Sequence, residues 1–244
     1  MRTVTGRIHS FETGGMVDGP GIRFVVFTQG CPLRCLYCHN PDTWKKTDGQ
    51  EMTVGEVLDK AKSYKSYMDS SGGGITVTGG EPLMQPEFVG ALLQEARKLG
   101  IHTAVDTSGF ATAEARKAVL PYADLVLLDI KSIKPTIFKK VSGVEIDSTL
   151  AALEELRELN TPVWVRHVVV PGLTDNLEDA KELARVLSEY PNIEKVEILP
   201  FHKLGEFKWE ELDQPYTLGD TEPPSREVIE RIRDIFREKN IPVA

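Results

Sequence analysis

Thiols are scarce in this sequence, and long hydrophobic runs are absent. Only three of the 244 residues are cysteine, and all three lie within residues 31–38. No apolar stretch approaches the roughly 20 residues that a membrane-spanning helix needs. Residues 1–15 contain no apolar run of signal-peptide length. We therefore expect a cytoplasmic chain without a membrane partner, whose thiols stay reduced.

Concentrated positive charge is also missing. The formal net charge is -8, and no run of lysine and arginine is longer than a pair. Because binding to a polyanion depends on clustered basic residues, we expect no nucleic-acid partner. With 41% hydrophobic and 27% charged residues, the composition is that of an ordinary globular protein. The length suits one large α/β domain, so we predict a single domain over residues 1–244.

The three cysteines follow the spacing C-x3-C-x2-C, at Cys31, Cys35 and Cys38. Closed electron-transfer clusters usually use four thiolates, so three leave one iron of a four-iron cluster open for a substrate or cofactor. Residues 25–27 are typical of a buried strand, and Gln29-Gly30 then begins an irregular loop. The pattern favours an iron–sulfur site just after a strand.

Two other metal sites use similar residues. Cys35-x-x-Cys38-His39 matches the pattern of covalent c-type haem attachment, but haem is attached in this way outside the cytoplasm. A zinc site of three cysteines and His39 would need Cys38 and His39 to bind one ion from adjacent positions, which is geometrically awkward. A disulfide framework would leave one thiol over. Zinc stays open as the second interpretation.

Apolar segments alternate with helical patterns along the chain. Thr53 and Glu56 form a capping-box pattern that predicts a helix to about Met68. A second helix is expected from near Pro86 to Leu99, with Gly100 just beyond its end. Further helical patterns cover residues 177–187 and 228–236, and strands are predicted at 75–77, 101–105, 125–130, 163–170 and 196–199. This alternation predicts an α/β fold with a parallel sheet.

Polar residues follow the ends of these strands, where α/β folds collect their active sites. Each has a plain structural interpretation as a turn, an ion pair or a loop residue, but together they predict a small-molecule site. Besides the cysteines, the residues are Gly79-Gly80-Glu81, Asp106-Thr107, Asp129, Lys131, Pro171-Gly172 and His202.

The cysteine spacing together with Gly79-Gly80-Glu81 resembles the radical S-adenosylmethionine enzymes. That resemblance implies a partial (β/α)6 TIM-like barrel with a parallel sheet. Over nearly the whole chain the sequence is similar to the branch of this family that activates glycyl-radical enzymes. The similar segments are residues 6–11, 17–23, 37–40, 168–172, 198–202 and 208–209.

The resemblance implies an oxidoreductase with two cofactors. Cys31, Cys35 and Cys38 would hold a four-iron, four-sulfur (4Fe–4S) cluster whose open iron binds S-adenosylmethionine. Reductive cleavage would give a 5′-deoxyadenosyl radical, which takes a hydrogen atom from a glycine of the partner enzyme, pyruvate formate-lyase. A low-potential donor such as flavodoxin would supply the electron to a monomeric enzyme. No side chain is expected to act as a catalytic acid or base.

The resemblance also assigns residues to S-adenosylmethionine. Gly79, Gly80 and Glu81 would approach the methionine amino group, and Lys131 would face the carboxylate. Asp129 and His202 would help to hold the ribose and methionine parts, whereas Tyr37 and His39 would flank the adenine. Asn40 and Arg166 are expected near the cofactor from their motif positions alone.

Two further sites are expected, one for the substrate peptide and one for a cation beside the cofactor. The glycine-rich loop of residues 17–23 would clamp the substrate peptide, with Asp18 and Arg23 touching it; its alternative is a plain connecting turn. Asp106, Thr107 and Asp129 would form a small monovalent-cation site, because oxygen ligands suit hard cations.

Relatives that activate other glycyl-radical enzymes often carry a cysteine-rich insertion after the first motif. This chain has none, and residues 43–50 are expected to lead directly into a helix. That absence favours the formate-lyase branch. The alternatives are a radical enzyme acting on a small molecule or nucleobase, and a non-catalytic iron–sulfur electron carrier.

Overall fold

The computed structural model describes all 244 residues, and its contacts divide the chain into two compact units. The first unit contains residues 1–32 and 43–127, and the second contains residues 33–42 and 128–244. We call the loop that carries Cys31, Cys35 and Cys38 the cysteine loop. Cys31 belongs to the first unit, and Cys35 and Cys38 belong to the second. The single domain over residues 1–244 stays a prediction.

The first unit contains a mixed sheet. Its strands are β1 Thr5–Gly15, β2 Arg23–Thr28, β3 Gln50–Thr53, β4 Gly74–Gly79 and β5 His102–Thr107. Strands β2, β4 and β5 are parallel neighbours, whereas β1 is antiparallel to β2 and β3, in the order β3-β1-β2-β4-β5. Strand β6, Leu125–Asp129, crosses the boundary between the units.

Four helices cover this sheet: α1 Val54–Lys62, α2 Lys65–Ser71, α3 Pro86–Lys98 and α4 Ala113–Val119. The Thr53–Glu56 capping box begins α1, as predicted. Helix α1 ends at Lys62 and α2 starts at Lys65, so the predicted single helix to Met68 is wrong: Tyr64, with φ -108° and ψ 5°, interrupts it. Residues 43–50 lead into β3 rather than directly into a helix.

The second unit contains the end of β6 and two parallel strands, β7 Val163–Val169 and β8 Ile193–Pro200. Apolar side chains of β7 alternate in burial, with Val163, Val165 and Val169 fully buried. The five helices of this unit are α5 Pro135–Ser142, α6 Asp147–Glu158, α7 Leu177–Leu187, α8 Glu206–Glu211 and α9 Arg226–Arg237. Helix α7 packs on α9.

The predicted fold class is confirmed. Strands and helices alternate, the strands are mostly parallel, and the sheet is not closed, as in a partial TIM-like barrel. None of the helices has the length and hydrophobicity required to span a bilayer. The continuous apolar runs of β4 and β6 are buried on both faces, as in a covered parallel sheet, whereas β7 is fully buried on one face only.

Candidate functional site

The first part of the cysteine loop is held by backbone hydrogen bonds in the first unit. After β2, Gly30 adopts a left-handed φ of 100° that favours glycine. Its N–H donates to the Thr43 carbonyl over 2.7 Å, and the Cys31 N–H donates to the Trp44 carbonyl over 3.2 Å. The loop therefore carries Cys31 on an anchored backbone.

The second part of the loop is anchored separately, in the second unit. Arg34 and Leu36 donate backbone hydrogen bonds to the Ser142 and Val141 carbonyls, over 2.8 and 2.9 Å. The Cys38 N–H donates to the Cys35 carbonyl over 3.1 Å, so these two cysteines flank one tight turn. None of the three cysteines forms a disulfide. No group of three or more Cys, His, Asp or Glu meets at metal-binding distance, so the cluster assignment rests on the loop itself.

Gly79 and Gly80 allow the β4 end to pack directly on the cysteine loop. Gly79 has a φ of 114°. A Cβ on Gly80 would lie 2.3 Å from the Gly30 carbonyl oxygen and 3.3 Å from the Cys31 Cβ. The two backbones also pair, because the Glu81 N–H donates to the Gly30 carbonyl over 2.9 Å. A side chain at position 80 would separate them.

The carboxylate of Glu81 is buried and fully engaged. Oε1 accepts hydrogen bonds from the Thr107 hydroxyl (2.5 Å) and the Leu83 N–H (3.1 Å). Oε2 accepts from the Ser108 N–H (2.9 Å) and the Ser108 hydroxyl (2.6 Å). Burial raises the pKa of Glu81, although these hydrogen bonds act in the opposite direction. Glu81 therefore ties the segment after β4 to the end of β5 and to Ser108, which follows it.

The residues of the expected cation site have other partners. Asp106 accepts a hydrogen bond from the Thr78 hydroxyl over 2.8 Å, and Thr107 contacts Glu81. Asp129 forms an ion pair with Lys131. The cation site therefore stays a prediction.

Lys131, Asp129 and Tyr37 form a buried polar group in the second unit. The Lys131 ammonium pairs with Asp129 and lies 5.6 Å from the centre of the Tyr37 ring. Burial disfavours the charged ammonium, but Asp129, Tyr37 and Cys35 together more than offset it and hold the pKa of Lys131 well above its usual value. Burial also raises the pKa of Tyr37 above its usual range. The site thus holds a permanent positive charge beside a neutral phenol.

His39 and His202 lie together at the exposed side of the second unit. Their ring centres are 4.4 Å apart, and the ring nitrogen Nε2 of His39 lies 3.3 Å from the His202 carbonyl oxygen. Asn40 accepts a hydrogen bond from Lys208 over 2.9 Å. Arg166, on β7, forms an ion pair with Glu197 on β8 over 3.0 Å.

Arg23 is buried rather than placed on the surface of the 17–23 loop. Its guanidinium donates to the Thr76 hydroxyl (2.9 Å) and to the Ile75 carbonyl (2.6 Å). Burial lowers the pKa of Arg23 to about 10, while Asp18 and Asp124 act in the opposite direction. The Thr76 hydroxyl in turn donates to the Asp18 carbonyl over 2.7 Å. Arg23 therefore braces the loop from beneath, and this placement gives no support to its expected contact with a peptide.

Several residues at these sites were not predicted from the sequence. Ser108 completes the Glu81 network. Trp209 contacts Cys38, and Gly205 and Lys208 contact the two residues that follow it. One indication of them was present in the sequence: Lys208-Trp209 is among the segments that resemble the family, although no role was assigned to either residue.

The profile of the Radical SAM superfamily matches residues 25–186 of the chain. The pyruvate formate-lyase-activating enzyme of Clostridium pasteurianum is 46% identical over 96% of this chain and 98% of its own length. The pyruvate formate-lyase 1-activating enzyme of Escherichia coli K12 is 43% identical over 97% of each chain. The chain belongs to the Radical SAM superfamily, in the family of the pyruvate formate-lyase-activating enzymes.

Two solved structures share the fold of this chain. A domain of pyruvate-formate lyase-activating enzyme from Bacteroides vulgatus superposes with a TM-score of 0.60 at 27% identity, covering 70% of this chain and 98% of that one. Streptococcus suis SuiB, bound to the precursor peptide SuiA, has the same fold: the TM-score is 0.66 at 17% identity, over 90% of this chain and 47% of SuiB.

A Radical SAM enzyme uses a 4Fe–4S cluster and S-adenosylmethionine, and the residues present fit both. Thiolates are the ligands that iron–sulfur clusters take. The Tyr37 hydroxyl is buried and has no hydrogen-bond partner within the chain, as expected where a bound cofactor completes the site. The bare backbone at Gly80 packs directly against Gly30 and Cys31, so the end of β4 lies beside the first cysteine.

Proposed function

We propose that this chain activates pyruvate formate-lyase by generating a radical on one of its glycines. The observation that carries this proposal is the 46% identity, over nearly the full length of both chains, to an enzyme named for that activation. The chemistry that the bound cofactors supply is the reductive cleavage of S-adenosylmethionine to methionine and a 5′-deoxyadenosyl radical, which abstracts the glycine hydrogen atom. The chain's own residues bind and orient the reactants and exclude water.

In this proposal Cys31, Cys35 and Cys38 hold the cluster. The Gly79-Gly80 backbone lies beside the methionine end of S-adenosylmethionine, and the Lys131 ammonium faces its carboxylate. Asp129 keeps Lys131 charged and oriented. His202, Tyr37 and His39 contact the rest of the cofactor, and Asn40 and Arg166 lie nearby. Asp106, Thr107 and Asp129 hold a monovalent cation.

The family resemblance also suggests the oligomeric state of the enzyme and its electron donor. We propose that residues 1–244 act as one domain of a monomeric, cytoplasmic enzyme reduced by a low-potential donor such as flavodoxin. These features rest on the family resemblance. Reduction by purified flavodoxin and sedimentation of the reconstituted enzyme test the donor and the monomer.

Anaerobic reconstitution with iron and sulfide, followed by reduction with S-adenosylmethionine and pyruvate formate-lyase, tests the function. We expect 5′-deoxyadenosine by chromatography and a glycyl radical on the lyase by electron paramagnetic resonance. Release of 5′-deoxyadenosine without a glycyl radical would point to another substrate. A cluster that accepts electrons but never cleaves S-adenosylmethionine would point to an electron carrier.

Replacing Lys131 with alanine is expected to weaken S-adenosylmethionine binding. A charge-assisted contact is worth on the order of 1.5 to 3 kcal/mol, so the dissociation constant from calorimetry should rise about 10- to 150-fold. Lys134→Ala is the matched control, because Lys134 pairs with Glu182 on the open surface. If the two variants bind the cofactor equally well, Lys131 does not face it.

Replacing Asp18 with asparagine is expected to depress glycine activation by about 10- to 100-fold, because a small misplacement of the substrate is costly in rate. Cofactor cleavage without the lyase should change little, since Asp18 precedes β2 whereas the cofactor residues follow strand ends. Asp69→Asn, at an exposed aspartate paired with Lys65, is the control. Poor cleavage in the absence of the lyase would instead place Asp18 at the cofactor.

A further inference from the structure

Trp209 connects helix α8 to the cysteine loop. Its side chain is buried at 6% exposure, and its ring centre lies 5.3 Å from that of Tyr216. The indole N–H donates a hydrogen bond to the Cys38 carbonyl over 2.8 Å. An indole has only this one donor, and a buried tryptophan usually satisfies it. The bond therefore fixes the backbone of the third cysteine.

Lys208, the neighbouring residue, holds the next turn of the same loop. Its ammonium donates to the Asn40 side-chain oxygen over 2.9 Å and pairs with Asp42 over 3.0 Å. The Lys208 and Asp42 side chains are only 22% and 29% exposed. Partial shielding from water makes this pair stronger than a surface salt bridge.

Gly205 brings the start of α8 against the same loop. A Cβ at this position would lie 2.7 Å from the His39 Cα, so only glycine allows this approach without a backbone shift. With the His202–His39 ring contact, residues 202–209 touch residues 38, 39, 40 and 42. We call residues 202–209 the clamp segment.

We propose that the clamp segment positions Cys38 for the cluster, with Trp209 and Lys208 as its positioning residues. The inference rests on the proposed role of Cys38 as a cluster ligand. Neither residue is needed to touch the cluster or S-adenosylmethionine. Removing a group that hydrogen-bonds to a metal-ligating residue and orients it typically lowers metal affinity or activity by about 10- to 100-fold.

Trp209→Phe tests the clamp, because it keeps an aromatic ring but removes the N–H. After anaerobic reconstitution we expect iron release to a chelator about tenfold faster than in the unchanged enzyme. The spectrum of the reduced cluster in electron paramagnetic resonance should also shift. Trp164→Phe is the matched control, since its indole N–H bonds to Glu194 at an exposed position away from the loop.

Lys208 gives a second, independent variant. Lys208→Met removes both polar contacts and should also speed iron release, whereas Lys208→Arg keeps the ion pair and should restore slow release. Because Lys208 is partly exposed, these variants test the clamp even if Trp209→Phe does not fold. Melting temperatures measured without iron separate a positioning effect from a general loss of stability.

Unchanged iron release and an unchanged spectrum in both Trp209→Phe and Lys208→Met would overturn the inference. So would an equal change in Trp164→Phe. Cys38→Ala separates this failure from failure of the proposed site. If Cys38→Ala still assembles a complete cluster, the ligand assignment is wrong; if it does not, while the clamp variants behave normally, only the clamp is refuted.

Discussion

Single replacement of Cys31, Cys35 or Cys38 by alanine is expected to abolish the cleavage of S-adenosylmethionine. Each thiolate would hold a different iron of the cluster. The chain has three cysteines in all, so no other thiol exists to take the place of a missing one. Each variant should therefore contain less iron and sulfide after anaerobic reconstitution and release no 5′-deoxyadenosine above background.

Arg34→Ala is the control for this loop, because Arg34 lies between Cys31 and Cys35 with an exposed side chain. It should reconstitute and cleave the cofactor as the unchanged enzyme does. Full activity in any one cysteine variant would contradict the cluster assignment. A colourless, air-stable protein that binds zinc in place of iron would support the structural zinc site instead.

The sequence predicted the parallel part of the fold better than its antiparallel edge. Strands β4, β6 and β7 are continuous or alternating apolar runs, so their burial follows directly from composition. Most residues of strand β1 are exposed or half-exposed, and the strand was not predicted. It forms because β2 and β3 pair with it on either side, and such pairing between distant residues is not visible in a local pattern.

The candidate site was predicted at the level of strand ends, but not at the level of side-chain partners. The spacing of glycines and cysteines predicted that Gly80 and the cysteine loop belong to the site. The burial of Arg23 was not predicted, because arginine is rarely buried and its acceptors at residues 75 and 76 are some 50 positions away. The contact of Trp209 with Cys38 was not predicted either, because 171 positions in the sequence separate the two residues.

Glu81 carries the second large expected effect, on stability as well as on cofactor binding. Its carboxylate is 2% exposed and accepts four hydrogen bonds, from Leu83, Thr107 and Ser108. Replacement by alanine would leave these buried donors without an acceptor. Each unsatisfied buried group costs about 1 to 3 kcal/mol, so Glu81→Ala should lower the free energy of unfolding by about 3 kcal/mol or more.

The stability of Glu81→Gln should lie between that of the unchanged protein and that of Glu81→Ala. The amide keeps the shape of the carboxylate but presents N–H groups to the Ser108 donors. In this variant the segment 79–81 loses its hydrogen bonds to Ser108, just after β5. We therefore expect S-adenosylmethionine to bind about tenfold more weakly, as measured by calorimetry, even where the chain remains folded. Ser108→Ala should reproduce part of this loss, and the double variant should be less than additive because both residues belong to one network.

Glu56→Ala is the matched control for Glu81→Ala. Glu56 also accepts hydrogen bonds from a threonine hydroxyl and a backbone N–H at the start of a helix, but its side chain is exposed to water. Water can replace the lost acceptor at Glu56, whereas the donors around Glu81 are buried. The free energy of unfolding is measured with denaturant for the unchanged protein, Glu81→Ala and Glu56→Ala. If Glu81→Ala is as stable as Glu56→Ala, the hydrogen bonds of Glu81 do not stabilise the end of β4. If stability falls but S-adenosylmethionine binding by Glu81→Gln is unchanged, the network supports the fold without positioning the cofactor.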